Sequence, residues 1–159
     1  MATTGHFYEG YRATEFVLQI EGIESPSVSK VSGLSEGELD TIEQPDGGSL
    51  HVHKISGSKV KFEPLTIERR VDGSDDDKRF LEWMHATWKL SDDRLTGSSV
   101  RKNGLIIKRH LGKEVLKFAF YQAWIKSSKF TDLEAGSSSL LTQTLVLEHE
   151  GLERIFPTA

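Results

Sequence analysis

The chain has 159 residues, and its formal net charge is −4 because 24 acidic residues outnumber 20 basic ones. The length suits a single domain over residues 1–159, and the mildly acidic balance disfavours a general nucleic-acid-binding surface. The lack of cysteine excludes disulfides and thiolate chemistry, and no apolar run approaches the roughly 20 residues that span a bilayer, so we expect no membrane insertion of the subunit.

The first part of the chain is predicted to form strands. Residues 1–14 are polar and mixed and are interpreted as an N-terminal arm. Apolar side chains alternate over residues 16–20, which is typical of a half-buried strand. A second strand is predicted to begin near residue 28, to meet Gly33 and to resume over residues 38–42.

A long polar stretch follows. Residues 43–49 combine a proline, an aspartate and two glycines, which predicts a loop. Residues 51–55 read as extended again. Strand-like segments at both ends of the polar stretch 35–60 make an arm that is long for a hairpin inside a compact domain. Because such arms and bare sheet edges are hazards for a free monomer, the pattern favours a protein whose other subunits cover them.

One helix is predicted over residues 75–89. Ser74 precedes three aspartates, and acidic groups in a first turn suit the positive end of the helix dipole. The buried face is predicted to consist of the apolar side chains that share one arc of the helix, which are Phe80, Leu81, Met84 and Trp88.

The rest of the chain returns to strands. These are predicted over residues 105–110, 115–125 and 141–147, with a hairpin turn at Gly112-Lys113. Together with the helix, they predict a mainly β fold: an antiparallel β-sandwich or partial barrel with one flanking α-helix.

His51 and His53 are the first candidates for chemistry. Side chains two apart on a strand face the same side, so two imidazoles there can share a metal. The residues that follow include Lys54 and no carboxylate before Glu63, so the ligand set is incomplete. We interpret the pair as solvated or interface histidines, and a small metal-dependent β-barrel enzyme built on them stays an alternative.

Two acidic clusters are interpreted as structural. In Glu148-His149-Glu150, neighbouring side chains of a strand point to opposite faces, so the histidine does not sit beside either carboxylate. Residues 75–77 lack the spacing of a calcium loop, and the helix dipole accounts for their charge. Phosphate-binding loops and nucleophile elbows are absent from the sequence. We therefore expect a structural or binding protein without catalytic residues, cofactor or metal, and not an enzyme.

Three stretches, taken in order, resemble the tail tube proteins of contractile phage tails and contractile injection systems, a family related to the type VI secretion ring protein. They are F-V-L-Q-I at 16–20 with V-S-G-L at 31–34, G-G at 47–48 and K-I-S-G at 54–57 leading through 60–70 to F-L-E-W at 80–83, and F-A-F-Y-Q-A-W-I-K at 118–126 with L-V-L-E-H-E-G-L-E-R at 145–154. The resemblance covers nearly the whole chain, from about residue 15 to residue 155.

The resemblance implies a tail tube fold and a structural function. Subunits of this family form hexameric rings that stack into a hollow inner tube, which a contracting sheath drives through a target envelope. The implied partners are the sheath protein, baseplate and tube-terminating proteins, and cargo effectors or DNA in the lumen. The implied location is the bacterial cytoplasm during assembly, then the assembled phage tail or injection particle.

The resemblance also implies a site. The long hairpin after the second strand reaches the neighbouring ring in the family, and here it corresponds to residues 35–58. The expected contact residues and turn glycines of this arm are Glu43, Gln44, Asp46, Gly47, Gly48, His51, His53 and Gly57. Sheet edges are expected to pair between subunits of one ring. A baseplate-proximal tube initiator or a type VI-like secreted ring protein stays an alternative within the family.

Overall fold

The computed structural model describes residues 10–21, 23–25, 28–45, 47–48, 50–88 and 101–156. No helix among them is long and apolar enough to cross a membrane. In chain order the elements are β1 (Phe16–Ile20), β2 (Ile23–Ser25), β3 (Val28–Ser32), β4 (Glu38–Pro45), β5 (Val52–Lys61), β6 (Leu65–Arg70), α1 (Asp75–Trp88), β7 (Lys102–His110), β8 (Lys113–Phe130), β9 (Thr142–Glu148) and β10 (Gly151–Ile155). The predicted mainly β fold with one helix is confirmed.

Two antiparallel sheets enclose the core, and β8 belongs to both. The first sheet has the order β2-β1-β7-β8, and β10 pairs with the other side of β8. The second sheet continues from the distal half of β8 through β9 and β6 to β3. Alternation directs every second side chain inward, as with Leu65 and Ile67 on β6 and Leu145 and Leu147 on β9, all at most 1% exposed. We call these two sheets with α1 the sandwich.

A kink in β8 lets this strand of 18 residues serve both sheets. Gln122 has a positive φ of 55°, and its N–H donates a hydrogen bond of 2.9 Å to Asn103 Oδ1. A register shift follows between Ile125 and Ser127, where the pairing partner is β9. Because a bulge bends a strand and increases its twist, β8 passes from one layer to the other without a loop.

The prediction that one strand continues after Gly33 is wrong, because the residues on its two sides belong to different sheets. Residues 28–32 pair with β6, whereas residues 38–45 pair with β5 in a separate two-stranded sheet. Gly33 has a φ of 83°, and a Cβ atom there would lie 2.2 Å from the carbonyl oxygen of Pro64. The chain turns away from the sandwich at this point, where only glycine fits.

The helix buries a different face from the one predicted. Phe80 and Trp83 are 1% and 3% exposed, whereas Leu81 and Trp88 are 48% and 59% exposed. Residues at i and i+3 lie on one side of a helix, and α1 rests against β2 and β8 along that side. Met84 packs partly against the core, as predicted. The pattern of apolar residues alone allowed two adjacent arcs, and the sheet surface selects one of them.

A buried arginine connects the helix to the second sheet. Arg69 on β6 is 0% exposed, and its Nη1 forms an ion pair with Asp77 of α1. The same nitrogen donates a 2.9 Å hydrogen bond to Gln143 Oε1 on β9, while the guanidinium carbon lies 5.1 Å from the ring centroid of Phe80. Gln143 Nε2 in turn donates to Ser128 Oγ on β8 at 2.8 Å. A buried guanidinium needs such partners, because desolvation costs several kcal/mol per ion.

Asp77→Asn is expected to lower the free energy of unfolding by about 3 kcal/mol, because the shape is kept while the Arg69 charge loses its ion-pair partner in the interior. Asp75→Asn is the matched control, since Asp75 lies in the same helical turn and is exposed. Urea denaturation at pH 7 measures both variants. Equal losses in the two variants would contradict the role assigned to this pair.

Candidate subunit interface

The arm is a hairpin of β4 and β5 that stands apart from the sandwich. Its two strands pair antiparallel with each other, and among the described residues neither pairs with a strand of the two large sheets. Strand β4 runs through Glu43 and Gln44 to Pro45, so the predicted loop over residues 43–49 is shorter than expected. Glu43 faces Lys54 and Gln44 faces His53 in the register of the hairpin.

Apolar side chains on the arm are exposed to an unusual degree. Their exposed fractions run from 45% at Ile55 to 105% at Leu50, and the set comprises Leu39, Ile42, Leu50, Val52, Ile55 and Val60. A lone two-stranded hairpin is only marginally stable in water. A cluster of exposed apolar residues on such an element marks a surface that binds another molecule.

Both faces of the arm carry these apolar residues. The register places Ile42 directly opposite Ile55, and Pro45 directly opposite Val52. Residues 42 and 45 are three apart on β4, so the two pairs lie on opposite faces of the hairpin. The arm therefore presents partly exposed apolar surface in two directions among the residues that the structure describes.

Charged pairs line up across the hairpin. Glu38 faces Lys61, and Glu43 faces Lys54. Asp40 also forms an ion pair of 3.3 Å with Lys61, and these side chains are 38% and 73% exposed. Exposed pairs of this kind contribute at most about 1 kcal/mol, so they favour the register of the arm more than its stability.

A bulge bends β5 near its middle. The register shifts between Leu39 and Thr41, whose partners are Val60 and Ser56, so β5 has more residues than β4 in this interval. A Cβ atom on Gly57 would lie 2.7 Å from Asp40 Cβ and 2.8 Å from the Asp40 carbonyl oxygen. Glycine is needed here because the two backbones approach closely.

The structure places seven of the eight predicted contact residues and turn glycines on this one element. Glu43 and Gln44 lie on β4, Gly47 and Gly48 lie in the turn, His53 and Gly57 lie on β5, and His51 precedes β5. Asp46 lies outside the described residues. His51 and His53 are exposed, and the described part of the chain holds no group of three or more His, Asp or Glu side chains placed to bind a metal ion. Their role at a subunit contact stays a prediction.

Sequence reasoning missed the apolar character of the arm and the last strand. Residues such as Ile42 and Ile55 stand alone among polar neighbours, and only the cross-strand register shows that they meet. Strand β10 pairs with residues 117–121 of β8. Tyr121 Oη donates to Glu153 Oε2 at 3.1 Å across this pair, and the hydrogen bond raises the pKa of Tyr121.

The first sheet ends in two edges. Strand β2 pairs with β1 alone, and β10 pairs with β8 alone, among the strands that the structure describes. An unpaired edge presents N–H and C=O groups that a strand of another chain can bind. These two edges, the β3 edge of the second sheet and the outer sides of the arm thus have no partner strand among the strands that the structure describes.

Gly57→Ala is expected to disrupt the pairing of β4 with β5 near Thr41 and Ser56, because the added methyl group collides with the Asp40 backbone. Gly48→Ala is the control, since a Cβ atom there meets nothing within 4 Å. Nuclear Overhauser contacts between the paired residues Thr41 and Ser56 report the pairing directly. Their survival in Gly57→Ala would show that the close approach is not required.

Solved structures with the same fold include components of contractile injection systems. The cap of the anti-feeding prophage, described as the AFP tube terminating cap, matches with a TM-score of 0.79 at 18% identity over 99% of this chain and 100% of that chain. The sheath–tube complex of the extracellular contractile injection system PVC matches at 0.74 and 17% identity, over 93% of each chain. Hcp1 from Flavobacterium johnsoniae matches at 0.53 and 19% identity, over 87% of this chain and 93% of that chain.

No curated protein matches the chain. The model of the family described as "T4-like virus tail tube protein gp19" matches residues 12–153, which is most of the chain. This family is one of structural tube proteins and not of enzymes. The chain belongs to the T4-like virus tail tube protein family.

Proposed function

We propose that the protein is the repeating subunit of the inner tube of a contractile injection system or phage tail. Six copies form a ring, and rings stack into a hollow tube. The observation that carries the proposal is the arm: a hairpin with exposed apolar residues on both faces that pairs with no other strand among the described residues. Such an element is completed by another copy of the chain.

Pairing of sheet edges closes the ring. Edges β2 and β10 lie at opposite sides of the same sheet, so β10 of one copy meets β2 of the next. This contact is heterologous, and a heterologous contact forms a closed ring when its rotation divides a full turn. Six copies per ring is what the family resemblance implies.

Contacts through the arm stack the rings. The arm reaches the neighbouring ring, and its contact residues and turn glycines are Glu43, Gln44, Asp46, Gly47, Gly48, His51, His53 and Gly57. Rings that stack head to tail do not form a closed assembly, so stacking produces a filament whose length the contact itself does not limit. A tube-terminating partner then sets that length.

The partners follow from the same assembly. A contractile sheath surrounds the tube, a baseplate nucleates it, and sheath contraction drives it through a target envelope with effectors or DNA in the lumen. Similarity to the PVC sheath–tube complex supports the sheath partner. Assembly takes place in the bacterial cytoplasm, and the finished particle is where the subunit acts.

A specialised ring at one end of the tube is the second candidate. The similar structures include a tube-terminating cap and a 6-fold symmetrised baseplate of the anti-feeding prophage, which favours this alternative within the family. Negative-stain electron microscopy of the purified protein separates the two. A repeating subunit forms stacked tubes by itself at high concentration, whereas an end ring stops at one or two layers.

Deletion of residues 43–49 is expected to leave the sandwich folded and to abolish tube growth, because the tip of the arm is lost while the sheets stay intact. Thermal unfolding and far-UV circular dichroism check the fold, and electron microscopy checks assembly. The deletion variant keeps the surface that receives an arm, so adding it to the full-length protein is expected to shorten the tubes. A folded variant that still formed tubes would count against the arm contact.

A further inference from the structure

The arm joins the sandwich through two short legs. Residues 33–37 lead into β4, and residues 62–64 lead out of β5. Among the described residues, no ladder of backbone hydrogen bonds connects the arm to the two large sheets. The direction of the arm therefore depends on side-chain contacts at the legs.

His149 forms a hydrogen bond with the second leg, residues 62–64. Its Nε2 atom lies 2.9 Å from the carbonyl oxygen of Glu63. A carbonyl oxygen only accepts hydrogen bonds, so Nε2 carries the hydrogen and donates it. The other ring nitrogen, Nδ1, is buried and has no hydrogen-bond partner among the described residues. The ring therefore makes one directed polar contact, and that contact is with the leg of the arm.

Aromatic packing fixes the position of this ring. The centroid of the His149 ring lies 5.8 Å from that of Phe62 on the leg and 6.5 Å from that of Phe120 on β8. Phe120 is 0% exposed, and Phe62 packs against the edge of the core. The imidazole thus sits between a rigid strand and the leg, where it has little freedom to follow the arm.

The first leg has a weaker contact, which is with β10. Arg154 Nε on β10 lies 2.7 Å from Glu36 Oε1, and the two side chains are 47% and 56% exposed. Ion pairs this exposed contribute little. His149 lies in the link between β9 and β10, and Arg154 lies on β10. Both strands pair with β8 and run in the same direction along it, so one continuous stretch of chain contacts both legs.

We propose that the stretch from His149, which follows β9, to Arg154 on β10 sets the direction of the arm, with His149 as the main positioning residue and the Arg154–Glu36 pair as a minor one. The proposal rests on the proposed function, in which the arm must meet another copy of the chain. An arm held in one direction loses less conformational freedom when it binds, so the subunit assembles at a lower concentration. His149 then acts through the arm, without itself contacting the neighbouring subunit.

The direction of the arm is measurable in the free subunit. The chain contains no cysteine, so spin labels attach only where cysteines are introduced. Lys54→Cys on β5 and Lys113→Cys at the start of β8 place one label on the arm and one on the sandwich. Double electron–electron resonance is expected to give one narrow distance distribution for this protein. Adding His149→Ala broadens or shifts it, whereas His149→Gln, which keeps a donor near the Nε2 position, retains it.

Assembly provides the second readout. The concentration that forms tubes is expected to rise about tenfold in His149→Ala, and less than about threefold in His149→Gln or Arg154→Ala. His85→Ala on the exposed side of α1 is the control and leaves both readouts unchanged. Thermal unfolding of each variant checks that the sandwich remains folded.

An unchanged distance distribution in folded His149→Ala would overturn the proposal. A changed distribution with an unchanged assembly concentration would also overturn it, because arm direction would then not govern assembly. If the full-length protein forms neither rings nor tubes, the proposed function fails, while the distance measurement still decides whether His149 positions the arm. Retention of the narrow distribution in His149→Gln but not in His149→Ala supports the donor role of the ring nitrogen.

Discussion

The buried guanidinium of Arg69 is the constraint on which the sandwich depends. A charge that is 0% exposed must be matched, and it is matched by a carboxylate from α1, an amide from β9 and the ring of Phe80. These partners come from α1 and β9, and Arg69 itself is on β6, so the position of the helix and the spacing of two strands are set together. Replacing such a cluster by apolar residues need not weaken a protein, but removing one member leaves an unpaired buried charge. The cluster therefore favours a single arrangement of helix and sheet.

The sandwich and the arm differ in how far their apolar residues are buried. The core is closed within one subunit, with side chains such as Leu18 and Ile67 fully buried. The arm is the reverse, because its apolar residues are exposed on both faces and its strands pair only with each other in the described part of the chain. In the stacked tube that we propose, the buried residues of the sandwich hold each subunit together, and the exposed residues of the arm provide contacts between copies.

The histidines show that residue type and sequence spacing do not by themselves predict a role, because the fold decides what each side chain contacts. His51 and His53 have the spacing of a strand metal pair, yet they lie exposed on a hairpin without a third ligand nearby among the described residues. His149 stands between two glutamates in the sequence, which suggests acid–base chemistry, and its ring instead contacts a backbone carbonyl and two phenylalanines. The family consists of structural tube proteins, and these placements agree with a role in contacts.

The sequence by itself determined the mainly β class, the helix that begins at Asp75, the presence of a long arm and the resemblance to tail tube proteins, because alternation, helix-start charges and turn residues act over a few neighbouring positions. Only the tertiary structure decided that Trp83 and not Trp88 is buried, that β3 and β4 belong to different sheets, and that Arg69 is in the core. The contacts behind these outcomes join residues far apart: Arg69 and Gln143 are 74 positions apart, and Glu63 and His149 are 86 apart. Local patterns hold no information on which distant surface a side chain meets, so burial and the attachment of the arm depend on packing.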